Sequence, residues 1–449
     1  LCSHITADDL PKTFREAIAT AKKFGISYLW IDSFCIIQDS HSDWLAEAAT
    51  MEAVYSNSAL NIMATASRGV EDGLFRTHGG VTVTPCVVRA AWDDMQPETF
   101  VLGSHKTWID LALKTPLHAR GWVLQERILP PRALHFGHDQ LIWECRGQDA
   151  CEAFPQGIPT VLCQTTYHRV KVTEVVDFRA WLAVKDPDRL LSDQDLGFEL
   201  WDRIISWYAS TQLTNQSDML VAISGLAKRF QRILNDRYLA GLWAKKLEKH
   251  LLWRPGPDSA GRPVIPSAPT WSWASMKCGF SFDPHSMYGH DGIKCIEVEN
   301  VNVNTVDPND DTGPVLDGYI RLRGHPIFAE FYRIPRFDEF PQLCFDKGRT
   351  RGNCHLDDRN DVKAILSCVF LPVNQGIIAG VGQKVSGLIL QSKPTRQGWY
   401  CRKGVATVWR DPSGDYETGW KNLVQRLEGV TKTDGTLCLE SSPGTIMLM

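Results

Sequence analysis

The sequence predicts an α/β chain with four parts: a parallel-sheet domain at 1–150, a helical region at 151–253, a Pro/Gly-rich crossover at 254–275 and a β-rich region at 276–449. Three observations carry that prediction. The chain opens in the order helix, apolar run, helix; 3.6-type spacing then dominates the middle; short alternating runs fill the last third.

Pro11 stands near the start of a helix whose apolar face is Phe14, Ile18 and Ala21, and Gly25 closes it. Tyr28-Leu29-Trp30-Ile31 follows, aromatic and β-branched, which predicts a strand buried on both faces. Asp32 then falls at the carboxyl end of that strand, where open α/β sheets place their ligand crevice. Capping of local backbone is the plainer role for the same residue. Trp44, Ala48, Met51 and Tyr55 recur at helical spacing, with Ser42 or Asp43 as candidate N-cap. Cys35 sits beside the crevice, but its apolar neighbours Phe34, Ile36 and Ile37 predict a buried, inert thiol.

At 449 residues the chain has room for two or three cores. A net charge of −4 without a Lys/Arg run gives no electrostatic case for nucleic acid or an anionic membrane. The 13 Cys are scattered with no C-x-x-C pair, which fits free thiols in a reducing compartment rather than a metal site. No apolar run reaches the ~20 residues that span a bilayer, and no signal peptide is present. The expected location is cytoplasmic. The chain begins at Leu1 rather than Met, so a preceding piece is expected.

Ala59–Ala64 predicts a second buried strand, and residues 81–104 predict strands around a Pro-containing turn. Leu117–Leu129 reads as a helix stopped by Pro130-Pro131; Ala133–Phe136 and Gln140–Trp143 read as a hairpin around Gly137-His138-Asp139. Trp122 and Glu126 lie four residues apart and share a helix face. A lone helical Glu is ordinarily solvated or paired with a basic neighbour, here Arg127 or Arg120. A functional role requires it to lie in a cleft beside an aromatic platform, which Trp122 supplies.

Phe178–Val184, Leu196–Leu213, Asp218–Asn235 and Tyr238–Trp253 are predicted helices. Trp271 and Trp273 alternate as on a strand and read as core. The Asp307, Asp310, Asp311 cluster lacks EF-hand spacing and reads as a solvated loop. The phosphate-loop, dinucleotide, zinc-protease and nucleophile-elbow motifs are all absent.

Taken together, LPKTFREAI (10–18), YLWIDSFCIIQD (28–39), the Met51 to Tyr55 step, RGWVLQERILPPRALHF (120–136) and Trp143-Glu144-Cys145 resemble the heterokaryon-incompatibility (HET) domain family of filamentous fungi. Weaker family-like text continues in SDMLVAISGLA (217–227), YLAGLW (238–243), LLW (251–253) and APTWSWAS (268–275). The family's usual opening strand and turn, Y-x-x-L-S-Y-x-W-G, is absent, so the sheet is expected to lack its first strand. The resemblance implies an effector of programmed cell death and non-self recognition. HET domains are also distantly similar to TIR domains, which implies a flavodoxin-like sheet and NAD⁺ as substrate, with no cofactor. Trp122-Val123-Leu124-Gln125-Glu126 matches the TIR pattern of a Glu four residues after a Trp, so Glu126 is the implied catalytic carboxylate. Asp32, Gln38 and Asp39 are expected on the ribose side from their position at the strand end; with Trp122 as a packing or stacking residue, and Arg120, they form the expected substrate-binding set. The rival expectation is a non-enzymatic module that assembles with itself or with an incompatibility partner.

Overall fold

A computed structural model gives the architecture and describes residues 5–76, 86–91, 96–102, 115–159, 166–167, 170–171, 194–256, 261–263, 265–277, 279–282, 293–332, 342–345, 350–358, 367–378, 382–396, 398–410 and 444–448. The chain divides into two compact units. One comprises Leu1–Arg203, Thr211–Leu213 and Ala222–Leu234; the other comprises Ile204–Ser210, Thr214–Val221 and Asn235–Met449.

In the first unit, α1 (Lys12–Lys23) starts behind Pro11 and ends at Gly25 with φ +68. There the Ile26 N–H donates to Ala21 O (2.9 Å) and the Gly25 N–H to Lys22 O (3.0 Å), the paired bonds of a Schellman stop. A one-turn helix α2 (Asp32–Cys35) precedes α3 (His41–Ser56). Ser40, not Ser42 or Asp43, caps α3, its Oγ accepting from the Asp43 N–H at 3.2 Å. The Asp43 carboxylate is turned back onto the Ile37 N–H (2.8 Å).

The sheet of this unit is mixed. Strand β1 (Asn61–Met63) runs parallel to β4 (Arg132–Phe136), which continues antiparallel to β5 (Leu141–Cys145) and β6 (Asp149–Cys151). A separate hairpin joins β2 (Cys86–Ala90) and β3 (Glu98–Leu102). Because side chains alternate along a strand, the main sheet has two distinct faces. Leu134, Phe136 and Ile62 pack with Ala17 of α1 on one side. Met63 and Ala133 pack with Val123 of α4 (Val123–Ile128) in a separate cluster. Two further helices contribute: α5 (Gln194–Tyr208), of which residues up to Arg203 belong to this unit and whose Trp201 ring meets Phe230 at 5.1 Å, and α6 (Ser224–Leu234). Helix α6 lies against α3, where Arg232 pairs with Glu52 at 2.6 Å and Lys228 Nζ donates to Ala49 O at 3.0 Å. Gly225 makes that approach close: a Cβ there would meet Gln125 Oε1 at 2.8 Å and Glu52 Cα at 3.2 Å.

Several expectations need correction. Tyr28–Ile31 belongs to no sheet and is not buried; Tyr28 is 92% exposed. The apolar run is right for a strand, yet among the described residues no strand pairs with it. Cys35 is likewise exposed, not buried. The helix predicted from Leu117 begins only at Val123. A backbone bridge takes the preceding groups: the Gly121 N–H donates to Gln212 O (2.8 Å) and the Gln212 N–H to Ala119 O (2.7 Å). The helix predicted at Phe178–Val184 lies outside the described residues, as do 81–85, 92–95 and 103–104 of the region predicted to hold strands.

In the second unit, Tyr238–Trp253 is not one helix. A tight hairpin pairs Tyr238–Leu239 with Leu242–Trp243, and a short helix, Leu247–His250, follows. Ala240 (φ +48) and Gly241 (φ +100) form its two-residue turn, the left-handed pair such hairpins require. Trp271 and Trp273 are fully buried, but on a turn and a 3-10 helix (Trp273–Ser275) instead of a strand. The C-terminal part is β-rich. Six strands close into a barrel: Ile327–Tyr332, Gln342–Phe345, Thr350–Leu356, Trp399–Trp409, Gly382–Ser392 and Ser367–Ile378, the last pairing back to the first. Phe345, Phe370, Val385, Ile389 and Val408 are among the side chains that fill it. On its strand Trp399–Trp409, Arg402, fully buried, binds Asp357 Oδ1 at 2.6 Å and lies 3.5 Å over the Trp253 ring.

Candidate functional site

Glu126 occupies the second half of α4, a helix too short to satisfy its own ends. Its carbonyl accepts from Asn61 Nδ2 at 2.6 Å, which ties the helix to β1. Its side chain keeps partial solvent access and accepts a hydrogen bond from the Tyr55 hydroxyl, on the last turn of α3. Asp32, the first residue of α2, and Arg120, in the turn before α4, lie close enough to act on the same carboxylate.

These four groups compete. Burial raises the Glu126 carboxyl from its ordinary 4.5 to about 7, against the pull of Arg120, and the negative charge of Asp32 adds to the rise. The Tyr55 hydrogen bond lowers it. Tyr55 itself is pushed far up, first by burial and then by the carboxylates of Glu126 and Asp32, so it stays a phenol that donates. A carboxylate near 7 exchanges its proton in the neutral range and can answer positive charge developing on a ligand.

Aromatic pairs involve Tyr55 and Trp122, the residue four before Glu126. Trp30 meets Tyr55 edge-on at 6.0 Å; Trp122 meets Trp44 edge-on at 6.2 Å; Trp44 stacks on His41 at 5.7 Å. Trp122, Trp44 and Trp30 are all half-buried, so each keeps some surface in reach of a ligand.

Of the residues singled out in the sequence, the structure gathers Glu126, Asp32 and Arg120, with Trp122 nearby on the same turn of chain. Gln38 is turned inward on its own loop, its Nε2 donating to Ile36 O (3.0 Å) and Asp32 O (3.3 Å). Asp39 is exposed in the turn before α3. Asp32 also serves its plainer role, its Oδ1 accepting from the Ser33 N–H at 2.7 Å. Tyr55 is the site residue that the sequence reading missed. Its only signal was its place on the face carrying Trp44 and Met51.

The next residue of α4, Arg127, enters a second polar cluster, fully buried. Arg127 Nε donates to both Glu144 oxygens, at 2.9 and 3.1 Å. His135 Nε2 meets Glu144 Oε2 at 2.9 Å, and the other His135 nitrogen meets Thr65 Oγ1 at 3.2 Å.

The raised Glu126 carboxyl, with Tyr55, Asp32 and Arg120 about it, makes this part of the mixed α/β unit the candidate site. Residues 2–126 match the family described as heterokaryon incompatibility protein (HET). The chain carries a HET domain over that stretch, and the domain implies a role in heterokaryon incompatibility. No curated protein and no solved structure gives a match. Among the described residues no helix is long and apolar enough to cross a membrane.

Proposed function

We propose that this HET-domain protein is an effector of incompatibility and cell death that hydrolyses the nicotinamide–ribose bond of NAD⁺. The observation that supports the reading is the gathering of Glu126, Tyr55, Asp32 and Arg120 beside half-buried indoles. The reading carries with it a flavodoxin/TIR-like ancestry for the sheet. In the reaction the C1′–N1 bond breaks and its electron pair leaves with nicotinamide, a neutral ring that needs no acid. The ribose cation left behind is stabilised by the Glu126 carboxylate, and water adds to C1′, giving ADP-ribose and a proton. Asp32, Gln38 and Asp39 are assigned to the ribose side, Trp122 to the ring face and Arg120 to the phosphates. No further cofactor takes part.

The test is NAD⁺ and nicotinamide measured over time with the purified full chain, dilute and crowded. Nicotinamide should appear with the wild type and not with Glu126→Gln. NAD⁺ consumption by a folded Glu126→Gln protein would overturn the assignment.

A second reading, assembly without catalysis, is favoured by one observation. Phe24, Tyr28, Leu29, Phe34 and Ile37 are all exposed within a single short stretch of the HET domain. Under that reading toxicity survives Glu126→Gln and is lost when Tyr28 and Leu29 are made charged.

A further inference from the structure

We infer that Arg127 is a positioning residue for Glu126: clamped by Glu144, it fixes the rotation of α4 and thereby where the neighbouring carboxylate points. The inference rests on the catalytic reading of Glu126. Helix α4 has six residues and its N-cap, Trp122, makes no side-chain capping bond. Such a helix cannot hold its own orientation, since nearly all its end groups lack intrahelical partners. Its bearing must come from outside.

Beside the packing of Val123 on Met63 and Ala133, two polar anchors supply it. One is the Asn61 bond to the Glu126 carbonyl. The other is the Arg127 fork on Glu144, a planar grip that sets direction as well as distance. Glu144 is itself held by His135, and His135 by Thr65. The cluster thus draws one member from β5, one from β4 and one from the residues just after β1, so the three strands jointly determine where Arg127 sits.

Consecutive helix residues point about 100° apart, so a side chain locked toward the sheet dictates the heading of its neighbour. Stability alone is a poor reason for this arrangement. A fully buried ion pair is often matched or bettered by apolar residues of the same volume, whereas such residues do not fix rotation. Catalysis is sensitive to that rotation: a displacement of about 1 Å costs on the order of 100-fold in rate. Arg127 is completely buried and presents no surface to solvent.

The experiment compares the full-length wild type with Arg127→Lys and with the triple variant Arg127→Met, Glu144→Leu, His135→Leu, which removes the charges together and so guards against a folding failure. Glutamate labelled at its carboxyl carbon reports the Glu126 titration by NMR, assigned by its loss in Glu126→Gln. The expected result is a folded triple variant with a Glu126 midpoint displaced from about 7 toward 4.5, near-unchanged KM for NAD⁺ and a kcat lower by about 10- to 100-fold. Arg127→Lys, which keeps charge but loses the fork, should fall between. Folded variants with an unmoved Glu126 titration and wild-type kcat would overturn the inference. If the wild type itself consumes no NAD⁺, the catalytic reading fails, while the titration still decides whether Arg127 places Glu126.

Discussion

The Tyr55 hydroxyl donates to the Glu126 carboxylate, joining the end of α3 to the middle of α4. That bond lowers the proton affinity of a carboxyl that burial raises to about 7. Removing it should therefore raise the affinity further. Tyr55→Phe is expected to move the acid limb of NAD⁺ cleavage to higher pH and to cut the rate at pH 7 by about two- to five-fold. Asp32→Asn should move the same limb the other way, because it removes a neighbouring negative charge. A pH–rate profile that responds to neither variant would dissociate these groups from the working carboxylate.

The raised Glu126 carboxyl also ties folding to pH. The folded form binds this proton more tightly than the unfolded chain, whose carboxyl keeps its ordinary 4.5. The stabilisation is fully present below about 4.5 and is lost as pH rises through about 7. Denaturant midpoints of the wild type should decline across that window from this group, and Glu126→Gln should remove that part of the slope.

Gly241 offers a test of the second unit. It sits at φ +100, and an added Cβ would lie 2.6 Å from Nε1 of the fully buried Trp273. That indole also donates to the Gly241 carbonyl at 3.0 Å, so it cannot retreat without losing a bond. Gly241→Ala should cost about 2–4 kcal/mol, read from chemical denaturation.

Arg402 is held by Asp357, by the Trp253 carbonyl and by the face of the Trp253 ring. Burial pulls its ordinarily very high pKa down to about 10 although Asp357 opposes the fall. Arg402→Met removes the cation but leaves the Trp253 carbonyl without its donor, and should destabilise the unit by about 3 kcal/mol or more. Arg402→Lys should recover little of this, since an ammonium can neither fork nor stack in the same way.

Much of the local structure was legible in the residues. Trp44, Ala48, Met51 and Tyr55 marked α3, and Gly137-His138-Asp139 marked the turn between β4 and β5. What local pattern could not carry was partnership. The Tyr28–Ile31 run has strand chemistry, but a strand also needs a neighbour, and pattern does not supply one. Tyr238–Trp253 has helical spacing, yet Ala240 and Gly241 adopt positive φ and turn it into a hairpin. Glu126 stood out through its Trp122 neighbour. Tyr55 did not, because its role depends on a contact with a residue far along the chain. Closure of the six-strand barrel is likewise a long-range fact, set by the pairing of Ile327–Tyr332 with Ser367–Ile378.

Helix α6 has a bearing on how the protein is made. The unit that holds Glu126 takes this helix from residues 222–234, well beyond α3, against which it packs. On the ribosome, α3 and the buried Gln125 must wait for that stretch to emerge before they are covered. A nascent chain released early would therefore carry Glu126, Tyr55 and Asp32 without their final support. The maturation of the first unit is thus timed by the translation of its last helix.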